Sequence, residues 1–151
     1  MSFLYRLIIM LALVTALAAC DPKPRLSPSF WAEDAPAGAA ALVAGDLAGS
    51  LVAAYPPGRT TFHLNQTDLE GDELGPALET ALRARGFGLA PGAGGAVLDA
   101  AYVLDRLAEN AWYVKLTVSD GLTLARVYQP EGDNLTPKAA TRTGRMEKSH
   151  E

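Results

Sequence analysis

Apolar and polar positions along the chain change their period several times. Leu7 to Leu17 is continuously apolar apart from Thr15. From Asp21 to Pro36 there is no apolar period, and Pro22, Pro24, Pro28 and Pro36 interrupt any helix. Between Ala37 and Tyr55 the residues Ala39, Leu42, Val43, Leu47, Leu51 and Ala54 recur at three- to five-residue spacing, which predicts an amphipathic helix stopped by Pro56-Pro57-Gly58. Thr60 to Gln66 alternates, with Phe62 and Leu64 on one side and Thr61, His63 and Asn65 on the other, as in a half-buried strand. An acidic turn over Asp68–Gly75 leads into a second helix ending near Arg85, with Leu74, Leu78 and Leu82 in its stripe, Pro76 in its first turn and Gly86 as its C′ residue.

Beyond Gly86 the period is two. Gly86 to Leu89 reads as a short strand, and Pro91 to Gly95 as a turn. Val97 to Leu107 places Leu98, Ala100, Tyr102 and Leu104 on one face and Asp99 and Asp105 on the other. Trp112, Val114, Leu116 and Val118 alternate with Tyr113, Lys115 and Thr117, and Ser119-Asp120-Gly121 signals a hairpin into a last strand, Leu122–Tyr128. From Pro130 the chain is polar, and residues 131–151 read as a disordered tail. This order predicts an α+β domain over residues 37–130: a small, mostly antiparallel sheet with two helices packed on one face. Gly45 and Gly49, four apart in the first helix, suggest close packing against that sheet; helix dimerisation in a membrane is the weaker alternative.

The N-terminal apolar run changes the picture of the whole chain. It is too short to span a bilayer, which takes roughly 20 residues. It follows a basic residue, Arg6, and ends in Leu17-Ala18-Ala19-Cys20. That ending resembles the lipobox of bacterial lipoproteins. The resemblance implies that residues 1–19 are a cleaved signal peptide, that Cys20 carries lipid, and that residues 20–36 tether the domain to a membrane on the periplasmic side of the cell envelope. An ordinary secretory signal and an uncleaved anchor are the alternatives. Asp21 resembles the inner-membrane retention signal of enteric lipoproteins and leaves the choice of membrane open, with the outer membrane favoured. Cys20 is the only cysteine, so no disulfide within the chain can form. Phe30 and Trp31 are exceptions in the tether and are candidate contacts for a partner, for the membrane interface or for the domain's own core.

Charge narrows the range of partners. Without residues 1–19 the chain loses one base, Arg6, and the net charge moves from −4 to −5, with 12 Lys plus Arg against 17 Asp plus Glu. This balance argues against nucleic-acid binding and against polybasic attraction to lipid.

The residues offer little for catalysis. The two histidines are His63, on the polar side of a strand, and His150, in the tail. Gly92-Ala93-Gly94-Gly95 is followed by neither a lysine nor a helix, so it reads as a turn and not a phosphate loop. Asp99 and Asp105 share a face but lie roughly 20 Å apart along a strand, and both read as solvated. The cluster Asp68, Glu70, Asp72 and Glu73 lacks EF-hand spacing and suits a helix N-terminus. No catalytic residue, metal ligand or cofactor is expected, and the chain is expected not to be an enzyme.

Several of these segments together are similar to the TrbH family of conjugal-transfer lipoproteins. They are the lipobox at Cys20, Ser27-Pro28-Ser29-Phe30-Trp31, the Ala-rich helix ending in Tyr55-Pro56-Pro57, Thr61-Phe62-His63-Leu64, and Leu82-Arg83-Ala84-Arg85-Gly86 with Phe87-Gly88-Leu89. The resemblance covers about residues 1–105. It implies a component of a mating-pair-formation (type IV secretion) apparatus that anchors or stabilises other envelope proteins, and it carries over no residue except Cys20. The alternative is a general cell-envelope lipoprotein acting in assembly or small-ligand binding. That reading expects an apolar pocket lined by Tyr102, Trp112 or Tyr128.

Overall fold

The computed structural model describes residues 26–145 apart from Leu69. The signal peptide, Cys20, Asp21, the first part of the tether, Met146 and His150 lie outside the described residues. The elements are β1 (Phe30–Trp31), α1 (Ala39–Ala54), a 3-10 turn (Pro57–Arg59), β2 (Thr61–Leu64), α2 (Leu74–Ala84), β3 (Gly88–Leu89), β4 (Leu98–Ala108), β5 (Ala111–Val118), β6 (Leu122–Glu131), β7 (Asn134–Pro137) and β8 (Arg142–Arg145). They form an α+β fold with one eight-stranded, mostly antiparallel sheet.

The antiparallel meander β4-β5-β6 is the spine of the sheet, and each outer edge carries two short strands set end to end. On β4, β2 pairs with Leu98–Ala100 and β1 with Val103–Leu104, both parallel. On β6, β7 pairs with Tyr128–Glu131 and β8 with Leu122–Ala125, both antiparallel. β3 lies outside β2, also parallel to it, because α2 forms the crossover between them.

Alternation along the spine sends Tyr102, Leu104, Trp112, Val114, Leu116 and Leu124 to the covered face, where each is at most 2 % exposed. Val43, Leu47 and Leu51 of α1 and Leu74, Leu78 and Leu82 of α2 close the same core from the other side. Both helices therefore lie on one face of the sheet, as the apolar stripes predict.

Three tyrosine–aspartate hydrogen bonds fasten these layers, and each joins segments far apart in the chain. Tyr55, just after α1, donates to Asp120 in the β5–β6 turn at 2.9 Å. Tyr102 of β4 donates to Asp72, and Tyr128 of β6 donates to Asp46 of α1. Asp46 also takes an ion pair from Arg126 at 2.6 Å. Asp72 accepts from the N–H groups of Leu74 (3.0 Å) and Gly75 (3.2 Å), so one carboxylate caps α2 and binds the sheet. Gly75 has to be glycine for this: a Cβ there would come within 2.5 Å of the Tyr102 hydroxyl.

Burial first, and then the neighbouring carboxylate, raises the ionisation of all three phenols well above its ordinary value near 10. A raised folded-state pKa favours the protonated phenol in the native state. The stability it contributes is whole below pH 10 and falls as unfolded tyrosines ionise above it. Urea unfolding midpoints are therefore expected to decline steeply above pH 10, with Tyr55, Tyr102 and Tyr128 ionising only as the protein unfolds. Tyrosinate absorbance measured alongside far-ultraviolet dichroism checks this. Ionisation of these three without loss of structure would contradict the clamps.

Three sequence expectations are corrected. Residues 29–32 are not tether: β1 is spliced onto β4, Ser29 is 8 % exposed and Ala32 N–H donates to Leu104 O at 3.0 Å. Residues 131–145 are not a disordered tail, because they complete β6 and form β7 and β8. Only Leu135 is buried among β7 and β8, so these strands are held mainly by backbone pairing, which leaves no hydrophobic period to read. Gly45 and Gly49 do not pack on the sheet. Their faces are open, and the Gly45 carbonyl accepts from the Arg85 guanidinium at 2.9 Å. Gly38, just ahead of α1, does meet a strand: a Cβ there would collide with the Asn134 side chain of β7.

Candidate functional site

With both helices on one side, the opposite face of the sheet is left uncovered by them. Strand register orders it in rows across the strands. One row runs Phe30, Val103, Lys115, Ala125, Arg142, a second runs Asp105, Tyr113, Val127, and a third runs Ala101, Thr117, Thr123, Gly144. The face is thus mixed: small and branched apolar residues with isolated charges.

The N-terminal segment Leu26–Ser29 crosses this face and divides it. Ser29 fixes the crossing, because its hydroxyl accepts the backbone N–H of Tyr102 at 3.1 Å. On one side Leu26 and Pro28 wall a groove of about 580 Å³ with His63, Gln66 and Asp68. On the other, Leu26 and Ser27 wall one of about 360 Å³ with Val103, Lys115 and Thr123.

The sequence candidates separate here. Phe30 and Trp31 are neighbours on β1, and alternation sends them to opposite faces. Trp31 pairs with Leu104 and is 5 % exposed, so it is a core residue and not a surface contact. Phe30 pairs with Val103 on the open face and is 40 % exposed. Tyr102, Trp112 and Tyr128 are core residues too, at most 2 % exposed, and do not line an open pocket.

His63 lies on the open face, where cross-strand register sets it beside Asp99. Its Nδ1 is 3.2 Å from the carboxylate, and both side chains are 22 % exposed. Asp99 is therefore partnered rather than simply solvated; Asp105, six residues on, remains exposed. The Ser119 hydroxyl accepts the backbone N–H of Asp99 at 3.0 Å. The carboxylate thus meets His63 while the serine is engaged by the backbone, an arrangement that ties β2, β4 and the β5–β6 turn together. Among the described residues no group of three His, Cys, Asp or Glu side chains is placed to hold a metal ion. Asp72 of the acidic cluster is engaged by the α2 N-terminus and Tyr102.

Sequence reasoning missed the exposed Leu107, 61 % accessible near the tip of the β4–β5 hairpin. A register shift between Arg106 and Ala108 leaves Leu107 without a cross-strand partner. Arg106 beside it pairs with Asp34 at 2.6 Å and lies over the Trp112 ring, its guanidinium carbon 5.0 Å from the ring centroid. The sequence carries a trace of this bulge, because Arg106 falls on the face of Tyr102 and Leu104, and Leu107 on the face of Asp105, which inverts the period of two.

A family model described as "Conjugal transfer protein TrbH" matches residues 27–147, which takes in β7 and β8 as well as much of the stretch whose motifs resemble that family. No curated protein and no solved structure matches the chain.

Proposed function

Since the chain belongs to the TrbH family of conjugal transfer proteins, we propose that it is a lipid-anchored, periplasmic-facing component of the conjugative transfer (type IV secretion) apparatus, and that it anchors or stabilises other envelope proteins by binding them. The family match over residues 27–147 carries this reading. Two features support it. The lipobox-like Leu17-Ala18-Ala19-Cys20 stands just ahead of the matched region. On the open sheet face His63 pairs with Asp99 and Ser119 accepts from the Asp99 backbone, so these polar groups join strands and a turn, which suits a scaffold that acts by contact.

Affinity purification of the tagged chain from cells carrying the transfer system, after mild crosslinking, tests the proposal. Other transfer components are expected to be recovered with it. Recovery of envelope-assembly proteins or lipid alone would replace this reading with that of a general lipoprotein. Phe30 supplies the accompanying variant. Phe30→Ser removes an exposed aromatic while leaving β1 its backbone pairing. If Phe30 is a binding anchor, its loss costs about 1–3 kcal/mol, or roughly tenfold or more in partner recovery, with urea stability nearly unchanged. Unchanged recovery would place the contact elsewhere.

A further inference from the structure

The splice of β1 onto β4 fixes which end of the domain the N-terminal segment leaves from. β1 runs parallel to β4, so Leu26 lies toward the Leu98 end of that strand. There it meets Thr67 and Asp68 on one side and Ser119 and Gly121 of the β5–β6 turn on the other. The β4–β5 hairpin, with Leu107 and the Glu109-Asn110 turn, is at the opposite end. From Ala101, beside Leu26, to Ala108 the strand covers about 25 Å.

Leu26 is the sixth residue after Cys20, and a fully extended chain of that length reaches about 20 Å. The leash is therefore shorter than the sheet is long, and much shorter than the 20–36 tether read from the prolines. The end of the sheet nearest the leash carries exposed Asp68 and Glu70, which anionic headgroups repel. Adhesion does not hold that end to a bilayer; the leash does.

Resting on the lipoprotein reading above, we propose that the domain has a fixed polarity on the membrane. The Asn65–Asp68 and Ser119–Gly121 loops face the lipid surface within a leash length, and the Leu107 hairpin is the outward pole.

Energy transfer to headgroup-labelled lipid tests this on the full lipidated chain in vesicles. With Cys20 acylated, an introduced cysteine is the only reactive thiol, so a donor dye can be placed at Asp68→Cys or Glu109→Cys, both exposed positions. Strong transfer from position 68 and weak transfer from 109 is the expected result. A flexible Gly/Ser insertion between Arg25 and Leu26 is expected to reduce the signal from 68. Equal or reversed transfer overturns the polarity, and a signal indifferent to the insertion shows adhesion in place of a leash. Mass spectrometry of the same preparation separates the two layers of the argument. An unacylated Cys20 overturns the lipoprotein reading itself, whereas an acylated chain with the wrong transfer pattern overturns only the orientation.

Discussion

Trp31→Ala is expected to lower the unfolding free energy by about 3–5 kcal/mol, the usual cost of truncating a large aromatic in a core. The indole is 5 % exposed and sits in the same cluster as Leu47, Leu104 and Trp112. Domains of this size are stable by about 5–15 kcal/mol, so a loss of that size is a large part of the total. The consequence also reaches beyond stability. β1 has only two residues, and two backbone N–H groups mark its attachment, Tyr102 donating to Ser29 Oγ and Ala32 donating to Leu104 O. Without the Trp31 side chain those bonds have little to hold them against water. The N-terminal segment should then peel from β4, turning a leash of six residues into one of a dozen or so. Urea unfolding followed by Trp112 fluorescence measures the first effect, and faster amide exchange at Ala32 and Tyr102 measures the second. Trp31→Phe should recover most of both. A loss below about 1 kcal/mol would show that Trp31 is only a lid over a core already complete, since well-packed indoles cost more.

Trp31 also shows what the sequence could and could not disclose. The two aromatics stand out in a proline-rich segment, but a pair of residues has no measurable period, so the strand and its split of Phe30 from Trp31 could not be read. Where a period ran long enough, it was legible: α1, α2, β4 and β5 lie within a residue or two of the spans that their apolar positions predict. β7 and β8 were invisible for the opposite reason. Leu135 is their only buried residue, and the rest is backbone pairing between polar side chains. The tyrosine clamps were equally hidden. Their partners are 65, 30 and 82 positions apart, and nothing local marks an aspartate as the acceptor of a distant phenol. At the open face, His63 was legible as outward-pointing, but its pairing with Asp99 depends on the parallel register of β2 on β4, which no single strand encodes. The family resemblance ended near residue 105 because it leaned on side-chain motifs. The match to residue 147 extends over β7 and β8, where pairing rather than motif defines the structure.

Cys20→Ser is the substitution expected to have the largest effect on function. Lipidation requires a nucleophile that forms a new bond from sulfur to a glyceryl carbon while the headgroup phosphate departs with the bonding electrons. A thiol with an ordinary pKa near 8.5 is a few per cent thiolate at neutral pH, whereas a serine hydroxyl has almost no alkoxide. The variant should therefore accumulate as a precursor retaining residues 1–19, incorporate no labelled fatty acid, and lose the anchor in which each buried methylene contributes about 0.8 kcal/mol. Cys20 lies outside the described residues 26–145, and the urea stability of the variant is expected to match that of the parent chain. If the domain works only when held within a leash length of the membrane, transfer frequency should fall toward that of a deletion while the protein remains folded. Two measurements separate the steps. Gel mobility with fatty-acid labelling reads processing, and mating assays read function. A Cys20→Ser chain that is processed to the same length and retained at the membrane would mean that the anchor is not at Cys20. Correct loss of lipid with undiminished transfer would mean that the family role does not depend on the anchor, and the leash would then have no part in it.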